Sequence, residues 1–226
     1  MKIEEKQKKL CTVIIPALNE ELTIKNCVTT FKKHPLVKKV IVVANACNDK
    51  TAIIARNAGA TVVQTKTAGK GFAIMSGIKK SDTEIIILCD GDLKNPSKKI
   101  IDKLLCGYSS DIALVKGRFN RDKHHGPITD ILIKPILQSF NHPAKKLQQP
   151  LSGMIAVEAS FIKSLKLPKD FGIDLFIVLM AFKQNKKVVE VEIPNIKHRQ
   201  RDWSHYEIMA KEVLNVLKFF GLKFEK

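Results

Sequence analysis

Between Thr12 and Cys89 the chain alternates short β-branched runs with stretches of helical spacing. Thr12-Val13-Ile14-Ile15, stopped by Pro16, reads as a first strand. Glu20 to Lys33 carries Leu22, Ile24, Val28 and Phe31 at helical spacing. Val40 to Val43 reads as a second strand, and Thr51 to Ala58 as a short helix closed by Gly59. Ala60 to Val63, a helix over Lys70 to Lys80 and the run Glu84 to Cys89 complete the series. Strands that are apolar without alternation are buried on both faces. Such strands lie parallel, and each return needs a crossover, usually a helix. The pattern predicts an α/β domain with a mostly parallel sheet and helices on both faces.

The second half is less regular. Pro96 to Leu105 reads as a helix and Asp111 to Val115 as a strand. Residues 117–127 are polar and charged and read as a loop. Thr129 to Phe140 reads as a helix kinked at Pro135, and Val188 to Ile193 alternates like a strand near a sheet edge. Ser204 to Phe220 predicts a C-terminal amphipathic helix, with Tyr206, Met209, Val213, Val216, Leu217 and Phe220 on one face. No linker or repeat interrupts the series, so the 226 residues are expected to form one domain.

Charge and composition exclude some classes. The net charge of +17 invites an anionic partner. Aromatic residues make up only 6% and do not interleave with the lysines, which argues against a stacking surface for nucleic acid. No apolar run approaches the roughly 20 residues that a membrane-spanning helix needs. The Lys/Glu-rich start lacks an apolar signal core, and the five cysteines form no C-x-x-C pair. Reduced thiols in a cytoplasmic protein are the expectation.

Asp90-Gly91-Asp92 leaves the end of the fourth strand. Ligands of open α/β sheets bind at that edge. Two carboxylates one residue apart can grip a hard divalent cation, which in turn grips a diphosphate. Acidic pairs at strand ends also serve as caps and solvated turns. Asn19-Glu20-Glu21, after the first strand, offers acceptors to a base or ribose, or else caps the following helix. Gly69-Lys70-Gly71 opens a helix on the same edge, where free backbone could meet a phosphate. Asp174, near the start of an apolar helix, reads as a sugar-binding carboxylate or a cap.

Taken in order, these elements resemble nucleotide-sugar-dependent glycosyltransferases of the GT-A, Rossmann-like fold. They are similar to family-two glycosyltransferases and, more narrowly, to the glucosyl-3-phosphoglycerate synthase group. The likeness rests on Pro16 to Glu21, Asn48 to Thr51, Gly69 to Gly71, Asp90 to Asp92, Thr129 with Pro135-Ile136-Leu137, Gln149 to Gly153, Phe171 to Asp174, and His198-Arg199. It implies a nucleotide-binding half over about residues 10–115 and an acceptor-binding half over about 116–226. It places the nucleotide sugar on Pro16, Ala17, Leu18, Asn19, Glu20, Asn45, Lys70, Asp90, Gly91 and Asp92. It places the acceptor on Gly126, Thr129, Leu151, Ser152 and Gly153. Asp92 and His198, with Asp90 near, would ligate Mg2+ or Mn2+. Asp92, Asp174 and Arg199 would carry the chemistry, with the sugar's anomeric configuration retained.

The departures from that pattern fall mainly in the acceptor half. Ala44-Asn45-Ala46-Cys47 replaces a sequence that commonly carries Asp or Ser after strand two. Pro127 stands where the relatives place an Arg, two residues before Thr129. Gln200 replaces an Asn, Phe171 a Tyr and Asp174 a Glu. Arg118, Arg121, Lys123, His124 and His125 could still attract an anion, but 3-phosphoglycerate is expected to be a poor acceptor. The partners expected are a UDP-glucose or GDP-mannose type donor and a small anionic acceptor, with no nucleic acid. A lipid-phosphate acceptor at the inner membrane face, a homodimer and a non-catalytic nucleotide-binding role stay open as alternatives.

Overall fold

The computed structural model describes residues 10–120, 126–198 and 202–222. Seven strands form one sheet in the order β3-β2-β1-β4-β6-β5-β7. They are β1 (Cys11–Ala17), β2 (Val37–Asn45), β3 (Thr61–Thr65), β4 (Ile85–Leu88), β5 (Ile112–Arg118), β6 (Ile155–Glu158) and β7 (Lys187–Glu192). The first four strands are parallel neighbours, and β5 and β7 also pair in parallel. Strand β6 runs antiparallel between β4 and β5 and joins the two halves of the sheet.

Alternation along the strands splits the core in two. Ile14, Ile41, Val43, Ile86 and Leu88 point to one face, and Val13, Ile15, Val42 and Ile87 to the other. Helices α1 (Ile24–Lys32), α2 (Thr51–Asn57) and α4 (Lys98–Cys106) contribute to the second core. Helices α3 (Lys70–Ile78), α5 (Lys134–Ser139), α6 (Ala159–Ser164), α7 (Ile173–Lys183) and α8 (Trp203–Phe219) contribute to the first.

Several expectations need correction. Pro16 does not stop β1, which runs on to Ala17 with Pro16 opposite Val43. The ladder to β4 has ended by then, at Ile14 opposite Leu88, so the missing N–H of Pro16 costs no sheet bond. The sheet is mixed because of β6, a four-residue strand that the sequence pattern did not reveal. The helix around Pro135 begins as a wide turn over Thr129–Ile133, with the Lys134 N–H bonded back to the Thr129 carbonyl, and continues as α5.

The amphipathic face of α8 packs in its C-terminal half, where Val213, Val216 and Leu217 are buried. Phe176 of α7 meets the rings of Phe219 and Phe220 there. Trp203 and Ile208 are exposed. Among the described residues no helix is long and apolar enough to cross a membrane.

Candidate functional site

The C-terminal edge of β1, β2 and β4 gathers most of the residues singled out above. The loop after β4 is held by α1: the Thr23 hydroxyl donates to the Gly91 carbonyl at 2.8 Å. That anchorage leaves the two carboxylates in different surroundings. Asp92 is buried, and its Oδ1 lies 3.1 Å from Nδ1 of His198, a residue 106 positions later. The His198 ring rests beside Phe119, with centroids 5.6 Å apart. Asp90 is more open, its side chain 25% exposed, and it accepts a hydrogen bond from Lys70 Nζ at 3.0 Å.

Lys70 joins the two halves of the sheet. Its ammonium reaches Asp174 Oδ2 at 2.6 Å as well as Asp90. Burial alone would push the ammonium pKa down, but the Asp174 and Asp90 carboxylates outweigh it and raise the pKa. Burial pushes the Asp174 carboxyl up against the opposing pull of Lys70 and Lys116. Asp174 sits in the first turn of α7 and makes no capping bond there. Its Oδ1 is buried and has no hydrogen-bond partner among the described residues.

The glycines beside Lys70 serve a different purpose from the one expected. The N–H of Gly71 donates to the Asp170 carbonyl at 3.1 Å and that of Phe72 to the Lys169 carbonyl at 3.0 Å. A Cβ at Gly69 would collide with the Lys169 carbonyl, and one at Gly71 with that of Pro168. The backbone opened by the triplet is filled by the chain's own segment 168–170. The start of α3 therefore offers those N–H groups to no phosphate, and Lys70 alone projects into the site.

Asn45 is likewise engaged. Its Nδ2 donates to the Gly69 carbonyl at 2.8 Å, and its Oδ1 accepts from Thr65 Oγ1 at 2.6 Å. It fixes the turn that carries Lys70, and both ends of its amide are used in doing so.

The turn after β1 is cross-linked to the loop after β2. Asn19, in the left-handed region at φ 55°, accepts the Asn48 N–H at 2.8 Å. The Glu20 N–H donates to Thr51 Oγ1 at 2.8 Å, and Cys47 Sγ donates to the Ala17 carbonyl at 3.2 Å. Asp49 accepts from the Glu21 and Thr51 N–H groups, at 3.1 and 2.9 Å. Burial opposes ionisation of Asp49, yet its bonds to Thr51 and Glu21 hold the carboxyl below the ordinary value. Helix α1 starts at Ile24 with no side-chain cap, so the capping role considered for Asn19-Glu20-Glu21 does not occur. Leu18 is about half exposed and Glu20 is buried. A cleft of about 650 Å³ opens beside this turn between Asn19, Glu21, Asn48, Asp49 and Lys94.

The acceptor candidates are partly brought to the same place. Gly153 packs directly on Asp90: a Cβ there would stand 2.5 Å from Asp90 Oδ1. Ser152 is buried, its Oγ accepts the Met154 N–H at 3.3 Å, and Leu151 is half-buried. Thr129 is buried with no partner for its Oγ1 among the described residues, and Gly126 takes a positive φ of 85°. Arg118 donates to Gln148 at 2.8 Å and to Glu192 at 3.2 Å in an exposed pairing. Arg121, Lys123, His124, His125, Arg199 and Gln200 lie outside the described residues.

Lys116 counts with the basic residues of the adjoining loop 117–129 that could attract an anion, but the structure buries it. It is fully buried in β5, where its Nζ donates to the Ser152 carbonyl at 2.5 Å. Burial lowers its pKa from 10.5 to about 8, with Lys70 adding to the effect and Asp174 opposing it. A lysine directly after the apolar run Ile112–Val115 was the available signal.

The donor set can be tested for a metal. One carboxylate and one imidazole at 3.1 Å, with a second carboxylate two positions along the chain, offer hard oxygen and borderline nitrogen donors. Among the described residues no three His, Cys, Asp or Glu side chains form a ready-made cage. Mg2+ in particular is commonly held by one or two carboxylates, with substrate phosphates and water completing its shell. The residues therefore fit a metal that arrives with a diphosphate.

Comparison with known proteins gives the family and the fold. Residues 12–126, just over half of the chain, match the family model described as Glycosyl transferase family 2. The chain belongs to that family and is a glycosyltransferase of the GT-A fold. It is 27% identical to the glucosyl-3-phosphoglycerate synthase of Mycolicibacterium smegmatis, over 91% of this chain and 76% of that one. It is 25% identical to the same enzyme of Petrotoga mobilis, over 96% of this chain and 75% of that one. Among solved structures it resembles the Mycobacterium tuberculosis glucosyl-3-phosphoglycerate synthase in complex with Mn2+, UDP-glucose and phosphoglyceric acid. That match has a TM-score of 0.87 and 25% identity, covering 97% of this chain and 82% of that one. A further complex of the same enzyme holds Mn2+, UDP-glucose and glycerol 3-phosphate, also at a TM-score of 0.87.

Proposed function

We propose that this chain transfers a hexosyl group from a nucleoside diphosphate sugar, UDP-glucose first among candidates, to a small anionic acceptor with the help of Mg2+ or Mn2+. The observation that carries the reading is the convergence of Asp92–His198 and Asp90–Lys70–Asp174 on one sheet edge. Asp92 and His198 would hold the metal, with Asp90 beside them. A divalent ion there supplies charge neutralisation for the leaving diphosphate. Leu18, about half exposed, would meet the base, with the buried Ala17 next to it in the chain, and Asn19 the nucleoside. Asp174, fixed by Lys70, keeps one buried oxygen without a partner among the described residues, suited to a sugar hydroxyl. Arg199 would add positive charge beside the diphosphate. Retention of configuration follows the relatives' resemblance.

The acceptor is proposed from chemistry. The relatives' structures hold phosphoglyceric acid and glycerol 3-phosphate. Pro127 offers neither charge nor N–H to a phosphate, so a small anion other than 3-phosphoglycerate is the expected preference. Thr129, with Leu151 to Gly153, would line that side.

The test is twofold. UDP should raise the melting temperature far more with Mn2+ than without it, and Asp92→Asn should abolish transfer without changing the melting of the ligand-free protein. A panel of small phosphorylated and carboxylated acceptors with UDP-glucose and GDP-mannose then fixes the substrates. Full turnover in excess chelator would overturn the metal-dependent reading. Efficient transfer to 3-phosphoglycerate would overturn the argument from Pro127.

A further inference from the structure

Asp92 and His198 are 106 residues apart in sequence, and neither belongs to a strand or helix. Something must bring their segments into register. The loop after Asp92 and the segment before His198 meet through a short backbone-like ladder. The Lys94 N–H donates to the Lys197 carbonyl at 2.8 Å. Asn95 then extends the pairing with its side chain. Its Nδ2 donates to the Asn195 carbonyl at 2.8 Å, and its Oδ1 accepts the Lys197 N–H at 2.7 Å. One amide thus grips the backbone on both sides of Ile196, whose side chain is buried in the core.

Asn195 fastens the same segment from the opposite side. Its Oδ1 accepts the Asn120 N–H at 3.2 Å, and the Ile193 N–H donates to the Arg118 carbonyl at 2.8 Å. The stretch 193–198 is therefore tied to the end of β5 at one end and to the Asp92 loop at the other. Glutamine or leucine at position 95 could not reproduce this grip, because the donor and acceptor must stand at the distance a short amide sets. Asn95 is exposed and packs no core, so its pairing with this segment has no evident part in holding the sheet together.

We propose that Asn95 is a positioning residue for the metal site: by clasping the backbone at Asn195 and Lys197 it sets the distance between His198 and Asp92. The inference rests on the metal role given to those two residues above. Partners that orient metal ligands typically change metal affinity by 10–100-fold when they are removed. The exposure of the clasp places the expected loss at the lower end, roughly tenfold.

The experiment compares wild type, Asn95→Ala and Asn95→Asp. Asn95→Asp keeps an oxygen to accept the Lys197 N–H and loses the donor to Asn195. Three quantities are read: hydrogen exchange across residues 193–198 in the metal-free protein, the dissociation constant of UDP without metal, and the apparent Mn2+ affinity in saturating UDP. In Asn95→Ala, exchange should quicken at 197, Mn2+ affinity should fall roughly tenfold, and metal-free UDP binding should stay as in wild type. Asn95→Asp should fall between the two. Raised Mn2+ should return Asn95→Ala to near wild-type kcat, which a general structural defect would not do. Wild-type Mn2+ affinity in Asn95→Ala, or an equal loss of metal-free UDP binding, overturns the inference. Absence of any Mn2+-dependent UDP binding in wild type would overturn the site reading itself, and this inference with it.

Discussion

Replacing Lys70 by Met tests the buried network directly. The side chains of Lys70 and Asp174 are 13% and 6% exposed, while that of Asp90 is 25% exposed. Removing one partner of a buried ion pair costs roughly 3–5 kcal/mol, because the remaining charge has no compensation. Water can reach Asp90 and screens its share, so the lower end, about 3 kcal/mol, is the expected cost. In a domain of this size each kcal/mol lowers the melting temperature by about 2–4 °C, which gives a fall of roughly 6–12 °C. The pH dependence has a definite sign. Without Lys70 the Asp174 carboxyl rises further above its unfolded value near 4. The folded state then keeps a proton that the unfolded state releases, so stability falls as pH rises above that value. The deficit should be smallest near pH 4 and largest at pH 8. The double variant Lys70→Met/Asp174→Leu removes both charges and should melt above the single variant. Differential scanning calorimetry of the ligand-free proteins from pH 4 to 8 reads all of this. A single variant that melts within about 2 °C of wild type at pH 8 would refute the reasoning, since that is less than 1 kcal/mol. So would a double variant no more stable than the single.

Three further outcomes follow from the geometry. Lys116 has a folded pKa of about 8 against 10.5 unfolded, so wild-type stability should rise relative to Lys116→Met as pH climbs from about 8 towards 10.5; a pH-independent difference in urea melts would contradict the burial argument. Gly153→Ala places a methyl 2.5 Å from Asp90 Oδ1, and the displaced carboxylate should cost roughly 10–100-fold in kcat/KM for the donor, with melting little changed; steady-state kinetics decide. His198→Ala should weaken Mn2+-dependent UDP binding and leave metal-free UDP binding intact, as titration calorimetry would show; unchanged metal affinity would return His198 to an ordinary loop residue.

The sequence alone determined the first half of the fold and the acidic pair. Strands β1 to β4 are continuous β-branched runs separated by helical spacing, and such local patterns survive any tertiary context that buries them. It also marked Asp90, Asp92, Lys70 and Asp174, because charged residues at strand and helix ends are visible without knowing their partners, whereas His198 was marked only by the resemblance to family-two glycosyltransferases. What it could not determine was who meets whom. Strand β6 has four residues, and only the register against Ile85–Leu88 shows that it runs antiparallel between two parallel sets. The Gly69–Gly71 turn looked open to a phosphate until segment 168–170, about 100 residues on, was seen to fill it. Arg118 meets Gln148 and Glu192, and Asn95, which no motif in the sequence singled out, meets Asn195 and Lys197. Each of these is a short polar contact between distant segments. Propensity and periodicity carry no information about such pairs, because their hydrogen bonds are fixed only when the whole sheet sets the register and the distance.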